Sequence, residues 1–548
     1  MAIRKLHQVS LLTLVVWLLT VAASAQSFRV QCPTSTITHP DPGNTGVNSV
    51  EPAYAGPTYT GTSGYGAVPA HVNGAIKCQQ ISGGDGYSTM ADGTQTYMFS
   101  FGPLSGIADI AAGKPGTQFP SVFNAPYAAS AATRLLPGDP AATDDPSSVG
   151  PPINLSSAPF TYNGAIGQVP DLDCLANPGS CPGVPTSGPF AGIDGHVDPR
   201  QIMDIGVMNG NIPAPLMAID EDDEFFLTLT NVGMIMRPDL FEQHTVHFHG
   251  YPNASAFYDG VPDASIAINI GGSFTYYYLA PDAGTYFWHC HITPPEHLQM
   301  GMVGQIYVRP RQNRWNGDLY AGLQQQQLDP RTKCDTSVDI LCSNPLPKVN
   351  SGATGGGKYA YNDGDGSTAY DVEYPLQIHG FDPNFHFVGM TFNPEEFADM
   401  KDKYFLLNGR SYPDTVTTGP LETQSADGVN HFSQPLPAII NIPAGKKALL
   451  RISDLDVTEY QTLASLGIPM EVVGYNAKLL RDQAGNNLYY NTNSITLGGG
   501  ESLDVILDAS DTTKYPSGSV FYLYTPNLDH LSNDAENFGG LMTEVRIN

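Results

Sequence analysis

The sequence predicts an all-β protein made of two β-sandwich domains of Greek-key topology, preceded by a loop-rich N-terminal extension. Glycine (57 residues) and proline (45 residues) are abundant, whereas charged residues make up only 14% of the chain. This composition is typical of loop-rich β proteins rather than helical bundles. Short runs of aromatic and β-branched residues bounded by Gly and Pro recur, and long helical periodicity is absent. An α/β fold therefore has little support, and we expect antiparallel sheets.

The first 25 residues read as a secretory signal. Arg4 and Lys5 form a basic start, residues 11–21 an apolar run, and residues 23–25 a small-residue cleavage site. The apolar run is short for a bilayer span, so a membrane anchor is the weaker interpretation. No later segment is long and apolar enough to cross a membrane. We therefore expect a soluble protein that is secreted or periplasmic.

The charge balance argues against nonspecific binding of nucleic acid. The chain carries 25 basic and 53 acidic residues, a formal charge of −28. Such a surface repels a phosphate backbone. Acidity of this kind usually serves solubility, although it also attracts metal cations and basic partners.

The strand pattern divides the chain into segments. Residues 26–203 are rich in Gly, Pro, Ser, Thr and Ala, and their best strand signal is Thr96–Phe101. We interpret them as a loop-rich extension that contributes to the first domain. Residues 204–312 are expected to form the first sandwich, because apolar and polar residues alternate there. Residues 313–371 read as a linker, and residues 372–548 as a second domain.

Histidines concentrate in two pieces of the first domain, HTVHFHG (244–250) and GTYFWHCH (284–291). Both pieces read as strands, in which residues two apart share a face. If the strands are neighbours, four imidazoles gather on one face, and one histidine and the cysteine gather on the other. The first set is His247, His249, His289 and His291; the second is His244 and Cys290.

Two further candidate ligands follow Cys290. His297 and Met302 are expected on a loop, because Pro294 and Pro295 interrupt regular structure. Two His, one Cys thiolate and a weak axial Met are the ligands of a blue-copper electron-transfer site, and imidazole suits further copper ions. Zinc and unrelated polar residues are the alternatives, but one Cys among six His resembles no common zinc pattern.

This stretch resembles the multicopper oxidases (laccases, ferroxidases and bilirubin oxidase) and their relatives, the copper nitrite reductases. HTVHFHG is similar to the H-x-x-H-x-H-G motif of the oxidase domain that carries type 1 copper. HCH followed by His297 and Met302 is similar to its C-terminal signature. The resemblance covers about residues 208–310 and implies a cupredoxin-like fold.

The resemblance also implies roles for individual residues. Those matched to type 1 copper ligands are His244, Cys290, His297 and Met302. Those matched to half of the trinuclear copper cluster are His247, His249, His289 and His291. Glu296 and Asp259 stand at positions that are acidic in relatives, which makes them candidate proton donors.

Two features leave the subclass open. Six residues separate Cys290 from His297, where the oxidases usually have four, and this lengthens the loop toward the nitrite-reductase form. In those reductases, however, the positions of His247 and His291 are not histidine.

Seven cysteines fit an exported protein with disulfides. Proximity in sequence suggests that Cys174 pairs with Cys181 and Cys334 with Cys342. Cys32 and Cys78 remain as a third possible pair. Cys290 is left over, as a copper ligand must be, because the metal needs a free thiolate.

The second domain is expected to repeat the first without its copper ligands. Residues 438–454 parallel residues 215–231, and QTLASLG from Gln461 lies over HTVHFHG. GSVFYLYT from Gly518 lies over GTYFWHCH. The six strand ligands are then replaced by Gln461, Ala464, Leu466, Leu523, Tyr524 and Thr525. The domain resembles the copper-free middle domain of three-domain oxidases.

These features favour an exported copper oxidase that takes single electrons from a substrate at type 1 copper and reduces oxygen at a histidine-ligated copper centre. One alternative is a type 1 electron carrier or copper-binding protein, and another is a nitrite-reductase-like enzyme. The reductant is a small molecule, a metal ion or a protein donor. A trinuclear cluster in this family uses eight histidines and the motifs supply four. We therefore expect a homo-oligomer in which His530 or another second-domain histidine reaches a neighbouring subunit's site.

Overall fold

The computed structural model describes six stretches of the chain. They are residues 32–41, 50–59, 69–124, 210–329, 344–424 and 430–548, apart from 235, 238, 252–254, 281 and 391–396, with the isolated positions 176, 177, 179, 186 and 187. The expected signal segment and the cysteines at 174, 181, 334 and 342 lie outside these stretches. Within them, every helix is too short or too polar to cross a bilayer.

The first domain is a sandwich of two sheets. Its strands are β1 (Ile76–Thr89), β2 (Gln95–Pro103), β3 (Met217–Asp220), β4 (Glu224–Gly233), β5 (His247–Phe248), β6 (Ser273–Leu279), β7 (Gly284–His289) and β8 (Val303–Arg309). One sheet has the order β2-β1-β4-β6 and the other β3-β8-β7-β5. Aromatic side chains such as Phe99, Tyr276 and Trp288 fill the space between the sheets, as expected for strands rich in large apolar residues.

Within the described stretches, five α-helices interrupt the strands. They are α1 (Ile107–Ala111), α2 (Pro120–Phe123), α3 (Pro294–Gln299), α4 (Leu319–Gln326) and α5 (Pro383–Met390). All are short, which agrees with the absence of long helical periodicity in the sequence.

The second domain is also a sandwich of two sheets. The chain enters it through the hairpin of β9 (Lys358–Tyr359) and β10 (Ala369–Tyr370). Its strands are β11 (Val372–Phe381), β12 (Tyr404–Leu407), β13 (Leu421–Gln424), β14 (Asn430–Ser433), β15 (Ile440–Ile442), β16 (Lys447–Asp454), β17 (Gln461–Leu466), β18 (Met470–Tyr475), β19 (Lys478–Leu479), β20 (Tyr490–Thr492), β21 (Ser494–Leu497), β22 (Ser502–Asp508), β23 (Val520–Tyr524) and β24 (Met542–Ile547). One sheet has the order β12-β11-β16-β22-β18-β19, with β20 on β18, and the other β15-β24-β23-β17-β21; β13 and β14 form a separate hairpin.

The sheets are mixed, and the expectation of purely antiparallel sheets was wrong. In the first domain β1 runs parallel to β4, and β3 runs parallel to β8. In the second domain β11 runs parallel to β16, and β15 to β24. Long connections join the partners of each parallel pair, and only such connections allow parallel pairing. Each of the four large sheets therefore contains one parallel pair.

The described part of the extension contributes two strands to the first sandwich. Thr96–Phe101, the expected strand, lies inside β2, but the 14-residue β1 had no clear sequence signal. Its sequence, IKCQQISGGDGYST, is buried along nearly its whole length, so apolar and polar residues do not alternate. A disulfide between Cys32 and Cys78, the third pair proposed from the sequence, fastens the preceding segment to β1.

The two sandwiches pack against each other through β7 and β8 of the first and β16 and β22 of the second. The Thr285 hydroxyl donates to Asp504 at 2.6 Å, and Gln305 Nε2 donates to the Arg451 carbonyl at 3.0 Å. The described part of the expected linker is folded onto this junction. Asn362 donates to Glu221 at 2.6 Å, while Tyr361 bonds to Asp504.

The ladders of the second domain repeat those of the first, with one correction to the expected alignment. Met217 pairs with Ile306 in the first domain and Ile440 with Val545 in the second. His247 faces His289, and its counterpart Ala464 faces Tyr524 rather than Leu523.

The overlay of residues 518–525 on 284–291 was therefore shifted by one residue. It was anchored on the two glycines, but Gly284 begins β7 whereas Gly518 precedes β23. Thr525 consequently takes the place of Cys290. The Thr525 amide donates to the Leu541 carbonyl at 2.9 Å, as the Cys290 amide donates to the Met302 carbonyl at 3.1 Å.

Candidate metal centres

The first candidate centre lies inside the first sandwich and consists of His244, Cys290 and His297. One ligand atom from each lies within 4.8 Å of the others, and all three residues are fully buried. His297 Nδ1 is 3.2 Å from Cys290 Sγ, and the Thr245 amide donates to the same sulfur at 3.4 Å. The buried sulfur therefore has two polar neighbours, an imidazole nitrogen and a backbone amide.

His297 lies on helix α3, and the expectation of a loop was wrong. Pro294 and Pro295 occupy the first turn of this helix, where the missing N–H groups cost no intrahelical hydrogen bond. The His297 amide donates to the Thr293 carbonyl at 3.1 Å. Proline therefore begins this helix instead of preventing it.

Met302 ends the ligand loop, by which we mean the segment 290–302 that contains helix α3. Its amide donates to the His297 carbonyl at 2.8 Å, and its carbonyl accepts the Cys290 amide. The residue is fully buried in the same apolar cluster as Cys290. The backbone thus ties both ends of the loop together around the buried sulfur.

This centre contains polar atoms that the described protein leaves without partners. Both ring nitrogens of His244 and Nε2 of His297 are buried with no hydrogen bond among the described residues. Leaving such groups unpaired costs on the order of 1–3 kcal/mol each. A bound metal ion would satisfy the inward-facing nitrogens, so the residues fit a soft-metal site.

The electrostatics of the two histidines differ. Burial, with the neighbouring His297, holds the pKa of His244 well below its usual range. Burial also lowers the pKa of His297. The charge of Cys290, the hydrogen bond between His297 and Cys290, and the nearby Glu242 outweigh burial and raise this pKa to about 10. Glu242 Oε2 lies 3.6 Å from His297 Nε2, an ion-pair distance rather than a hydrogen bond.

The second candidate centre lies on the opposite face of the same strands. His247 faces His289 across β5 and β7. The ring centroids of His247, His249, His289 and His291 lie between 4.9 and 5.5 Å from their neighbours in the group. The structure therefore brings the four rings together, and one ligand atom from each of His247, His249 and His289 lies within 4.8 Å of the others.

Hydrogen bonds orient these rings. His247 Nδ1 is 2.7 Å from the Asp259 carbonyl, and His289 Nδ1 is 2.6 Å from the Cys290 carbonyl. Because a carbonyl only accepts, each Nδ1 carries the proton and each Nε2 presents a lone pair. Burial, reinforced by neighbouring histidines, lowers the pKa of His249 to about 4 and that of His289 well below its usual range. Neutral imidazole is the form that binds metal.

The two candidate proton donors lie at different centres. Asp259 Oδ2 is 3.5 Å from His247 Nδ1, at the four-histidine face, and its side chain is about one-third exposed (31%). Glu296 is buried in the first turn of α3, and its charge contributes to the raised pKa of His297.

A contact between the second domain and the segment that carries His297 has no counterpart in the sequence analysis. Gln299, fully buried, donates from Nε2 to Asp402 at 3.0 Å and accepts the Asp382 amide at 2.9 Å. His379 Nε2 is 3.0 Å from the Leu298 carbonyl. These partners are about 80 to 100 residues away in sequence, so only the tertiary structure identifies them.

His530 occupies in the second domain the place that His297 has in the first. The Leu541 amide donates to the His530 carbonyl at 3.0 Å, matching the bond from Met302 to His297. Its ring nitrogen Nδ1 is 3.0 Å from Gln461 Oε1, and Gln461 stands where His244 stands in the first domain. His530 is buried and stacks on Phe405. The structure therefore contradicts the expectation that it reaches a neighbouring subunit.

Comparison with known proteins shows which proteins the first domain resembles. The multicopper oxidase family model matches residues 194–313. Over 109 residues the chain is 34% identical to laccase abr2 of Aspergillus fumigatus, covering 20% of this chain and 17% of that protein. Over 114 residues it is 34% identical to a copper-containing nitrite reductase of Rhizobium meliloti, covering 20% of this chain and 27% of that enzyme. The chain thus spans about a quarter or less of the length of these relatives.

Among solved structures, the blue copper oxidase of Nitrosomonas europaea superposes with a TM-score of 0.41 and 21% identity, covering 62% of this chain and 78% of that one. The matched segment, 194–313, contains both candidate centres. The match and the Cys and His donor sets together make this segment similar to the copper-binding domains of oxidoreductases. More particularly, residues 194–313 resemble a multicopper oxidase domain.

The contact at Gln299 predicts that the second domain holds the Cys290 loop closed. In the variant Gln299→Leu, Asp402 and the Asp382 amide lose their partner, at a cost of about 1–3 kcal/mol. We expect the metal-free variant to expose Cys290 roughly tenfold more often. Alkylation of Cys290, followed by peptide mass spectrometry, measures this rate.

Gln305→Leu is the matched control, because Gln305 is equally buried and also bonds to the second domain, through Arg451 and Ser453, but lies outside the loop. Equal alkylation rates of Cys290 in the two variants would show that the contacts of Gln299 do not keep the loop closed.

Proposed function

We propose that the protein is an exported copper oxidase that takes single electrons from a reductant and passes them to oxygen. The observation that carries this proposal is the presence of two donor sets on opposite faces of one strand pair. His244, Cys290, His297 and Met302 would hold a type 1 copper, and His247, His249, His289 and His291 would hold a second copper centre. Bound copper would supply one-electron transfer at the first centre and oxygen reduction at the second.

The chain itself provides the connection between the centres. Cys290 is flanked by His289 and His291. The covalent path from its sulfur to either imidazole therefore crosses a single peptide unit. The His289 ring is also hydrogen-bonded to the Cys290 carbonyl at 2.6 Å. This arrangement fixes the relative position of the two donor sets without relying on flexible loops.

The reductant would approach at His297. Its Nδ1 faces the buried sulfur, while Nε2 faces Glu242, whose side chain is 26% exposed. Glu242 is therefore the polar group at the outer edge of the buried site. The neighbouring Phe241 is 82% exposed and offers an apolar surface beside it. A small molecule, a metal ion and a protein donor all suit a surface of this kind.

Asp259 and Glu296, the two candidate proton donors, would take different roles. Asp259 is placed to hold or pass a proton at Oδ2 beside His247. Glu296 is buried beside the His297 centre, so we assign it the narrower role of balancing the charge of that histidine. Asp259 is accordingly the better candidate for proton supply to the four-histidine centre.

The surroundings of the four-histidine face favour oxygen over nitrite. A cleft of about 560 Å³ opens beside His249 and is lined by residues of both domains. The lining includes Asp456, Glu459 and Glu501, and of the described residues that line it none is Lys or Arg. Such a cleft repels an anion and admits a neutral molecule. A nitrite-reductase-like enzyme remains the second candidate, supported by the partial match to nitrite reductases.

Export is supported by the disulfide. Disulfides such as Cys32–Cys78 form and persist in oxidising compartments, which agrees with the expected secretory signal. We therefore propose a secreted or periplasmic protein.

The copper-loaded, oxidised protein is expected to be blue, because a Cys thiolate bound to copper absorbs intensely in the visible range. The visible spectrum of the full chain after copper loading measures this. Cys290→Ser and His297→Gln should each abolish the band while circular dichroism stays unchanged.

His530→Gln is the control for the blue band, since it replaces the corresponding histidine of the second domain. It should leave the band intact. A colourless wild-type protein, or loss of the band in His530→Gln, would contradict the assignment of the type 1 ligands.

The acidic cleft predicts oxygen consumption without nitrite reduction. With a reductant such as a phenol or Fe(II), the copper-loaded protein should consume oxygen and produce no nitric oxide from nitrite. An oxygen electrode and a nitric oxide electrode measure the two activities on the same sample. Nitrite turnover at a rate comparable to oxygen uptake would favour the second candidate.

The incomplete histidine set predicts a homo-oligomer. Of the second-domain histidines whose side chains the structure describes, His379, His386 and His530 are buried in other contacts. These three histidines are therefore not available in any copy, and further ligands for the four-histidine face would come from other residues of a second copy of the chain. Light scattering should give a whole multiple of the monomer mass. A monomer that binds a type 1 copper and three or more additional coppers would contradict this.

A further inference from the structure

A turn of the second domain touches one histidine of the four-histidine centre. Residues 498–501 have the sequence GGGE, and a Cβ placed on Gly500 would lie 2.7 Å from Nδ1 and 2.9 Å from Cε1 of His249. His249 forms a hydrogen bond with the backbone of Gly500. The Gly500 amide already donates to the Asp454 carbonyl at 2.9 Å. The Gly500 carbonyl is therefore the group that accepts from His249 Nδ1.

This bond completes a pattern shared by three of the four rings. His247 and His289 also place Nδ1 on backbone carbonyls, those of Asp259 and Cys290. In each case the bond fixes the tautomer and leaves Nε2 with a free lone pair. Histidines that bind metals commonly have such a carbonyl partner on the other ring nitrogen. Only for His249 does this partner come from the second domain.

The resulting orientation is suited to a cation. His249 Nε2 and His289 Nε2 lie 2.9 Å apart. Because both rings carry their proton on Nδ1, two lone pairs face each other at this distance. A shared positive charge between or beside them relieves the repulsion. His249 therefore depends on Gly500 to present its lone pair to the centre.

The turn is rigid enough to act as a fixed acceptor. The Gly498 amide donates to Glu501 Oε2 at 2.8 Å, and the Glu501 amide donates to the Gly498 carbonyl at 3.1 Å. A Cβ on Gly499 would lie 2.1 Å from the Asp456 carbonyl oxygen. The close approach of the turn to both Asp456 and His249 thus requires glycine at consecutive positions.

We propose that Gly500 is a positioning residue for the four-histidine centre, so that metal binding there depends on the second domain of the same chain. This inference rests on the proposed function, because it takes the four histidines to bind copper. It gives the copper-free second domain a defined role, namely to supply the carbonyl that orients His249.

The variant Gly500→Ala tests this proposal, with Gly518→Ala as the matched control. Both glycines have positive φ, 93° for Gly500 and 89° for Gly518, so alanine introduces similar backbone strain at each. At Gly518 a Cβ would meet no atom within 4 Å, whereas at Gly500 it would displace His249. The difference between the variants therefore isolates the effect on the histidine.

The measurement is a titration of the metal-free full-length protein with copper(II), read by copper per chain and by electron paramagnetic resonance. We expect Gly500→Ala to weaken binding at the four-histidine centre by about 10- to 100-fold. Its blue band should remain, which shows that the fold and the type 1 site are intact. Gly518→Ala should bind copper as the wild type does.

Two results would overturn the inference, and they are distinguishable. If Gly500→Ala binds copper with the same affinity and stoichiometry as Gly518→Ala, the positioning role of Gly500 is wrong while the proposed function stands. If the wild-type protein binds one copper only, the four-histidine centre itself is wrong, and the proposal falls with it.

Discussion

Both candidate centres depend on the pairing of two short strands, β5 and β7. The ladder places His247 opposite His289, and strand alternation then sends neighbouring side chains to opposite faces. Cys290 enters the interior while His289 and His291 join the other histidines outside. A one-residue slip in this register would move the cysteine to the outer face and the histidines to the core. The register is held by the buried Trp288 and Phe248, and by Gly304 on β8, where a Cβ would lie 2.5 Å from the Trp288 ring.

The second domain acts on this strand pair from two directions. On one side Asp402, Asp382 and His379 hold the loop that carries His297, through Gln299 and Leu298. On the other side the turn at Gly500 orients His249. Buried polar contacts of this kind have little tolerance for displacement, because each unpaired group costs on the order of 1–3 kcal/mol. The junction between the sandwiches therefore defines the geometry of both centres as well as adding apolar contact.

Much of this arrangement follows from local rules that a sequence displays. Strand alternation predicted which histidines share a face, and the spacing of the glycines and aromatic residues predicted a repeated β-sandwich. The failures have equally local causes. Pro294 and Pro295 begin a helix instead of breaking one, because proline is tolerated in the first turn. The strand β1 is buried on both faces, which removes the alternation that identifies a strand. The parallel pairs depend on long connections, and Gln299, Glu242 and Gly500 act through contacts between distant segments, for which the sequence contains no periodic signal.

The second domain shows what the scaffold does when the metal ligands are replaced. Gln461, Thr525, His530 and Leu541 occupy the positions of His244, Cys290, His297 and Met302. His530 Nδ1 donates to Gln461 Oε1 at 3.0 Å, so a hydrogen bond joins the two residues that correspond to the first domain's histidine ligands. Gln461 Nε2 in turn donates to Asp456 at 2.6 Å. A glutamine both donates and accepts, so it satisfies the buried histidine and a buried carboxylate together. His244, by contrast, leaves both ring nitrogens without a described partner. The same fold thus closes one site with a protein hydrogen bond, whereas in the other the buried imidazole lone pair suits an electron-pair acceptor such as copper.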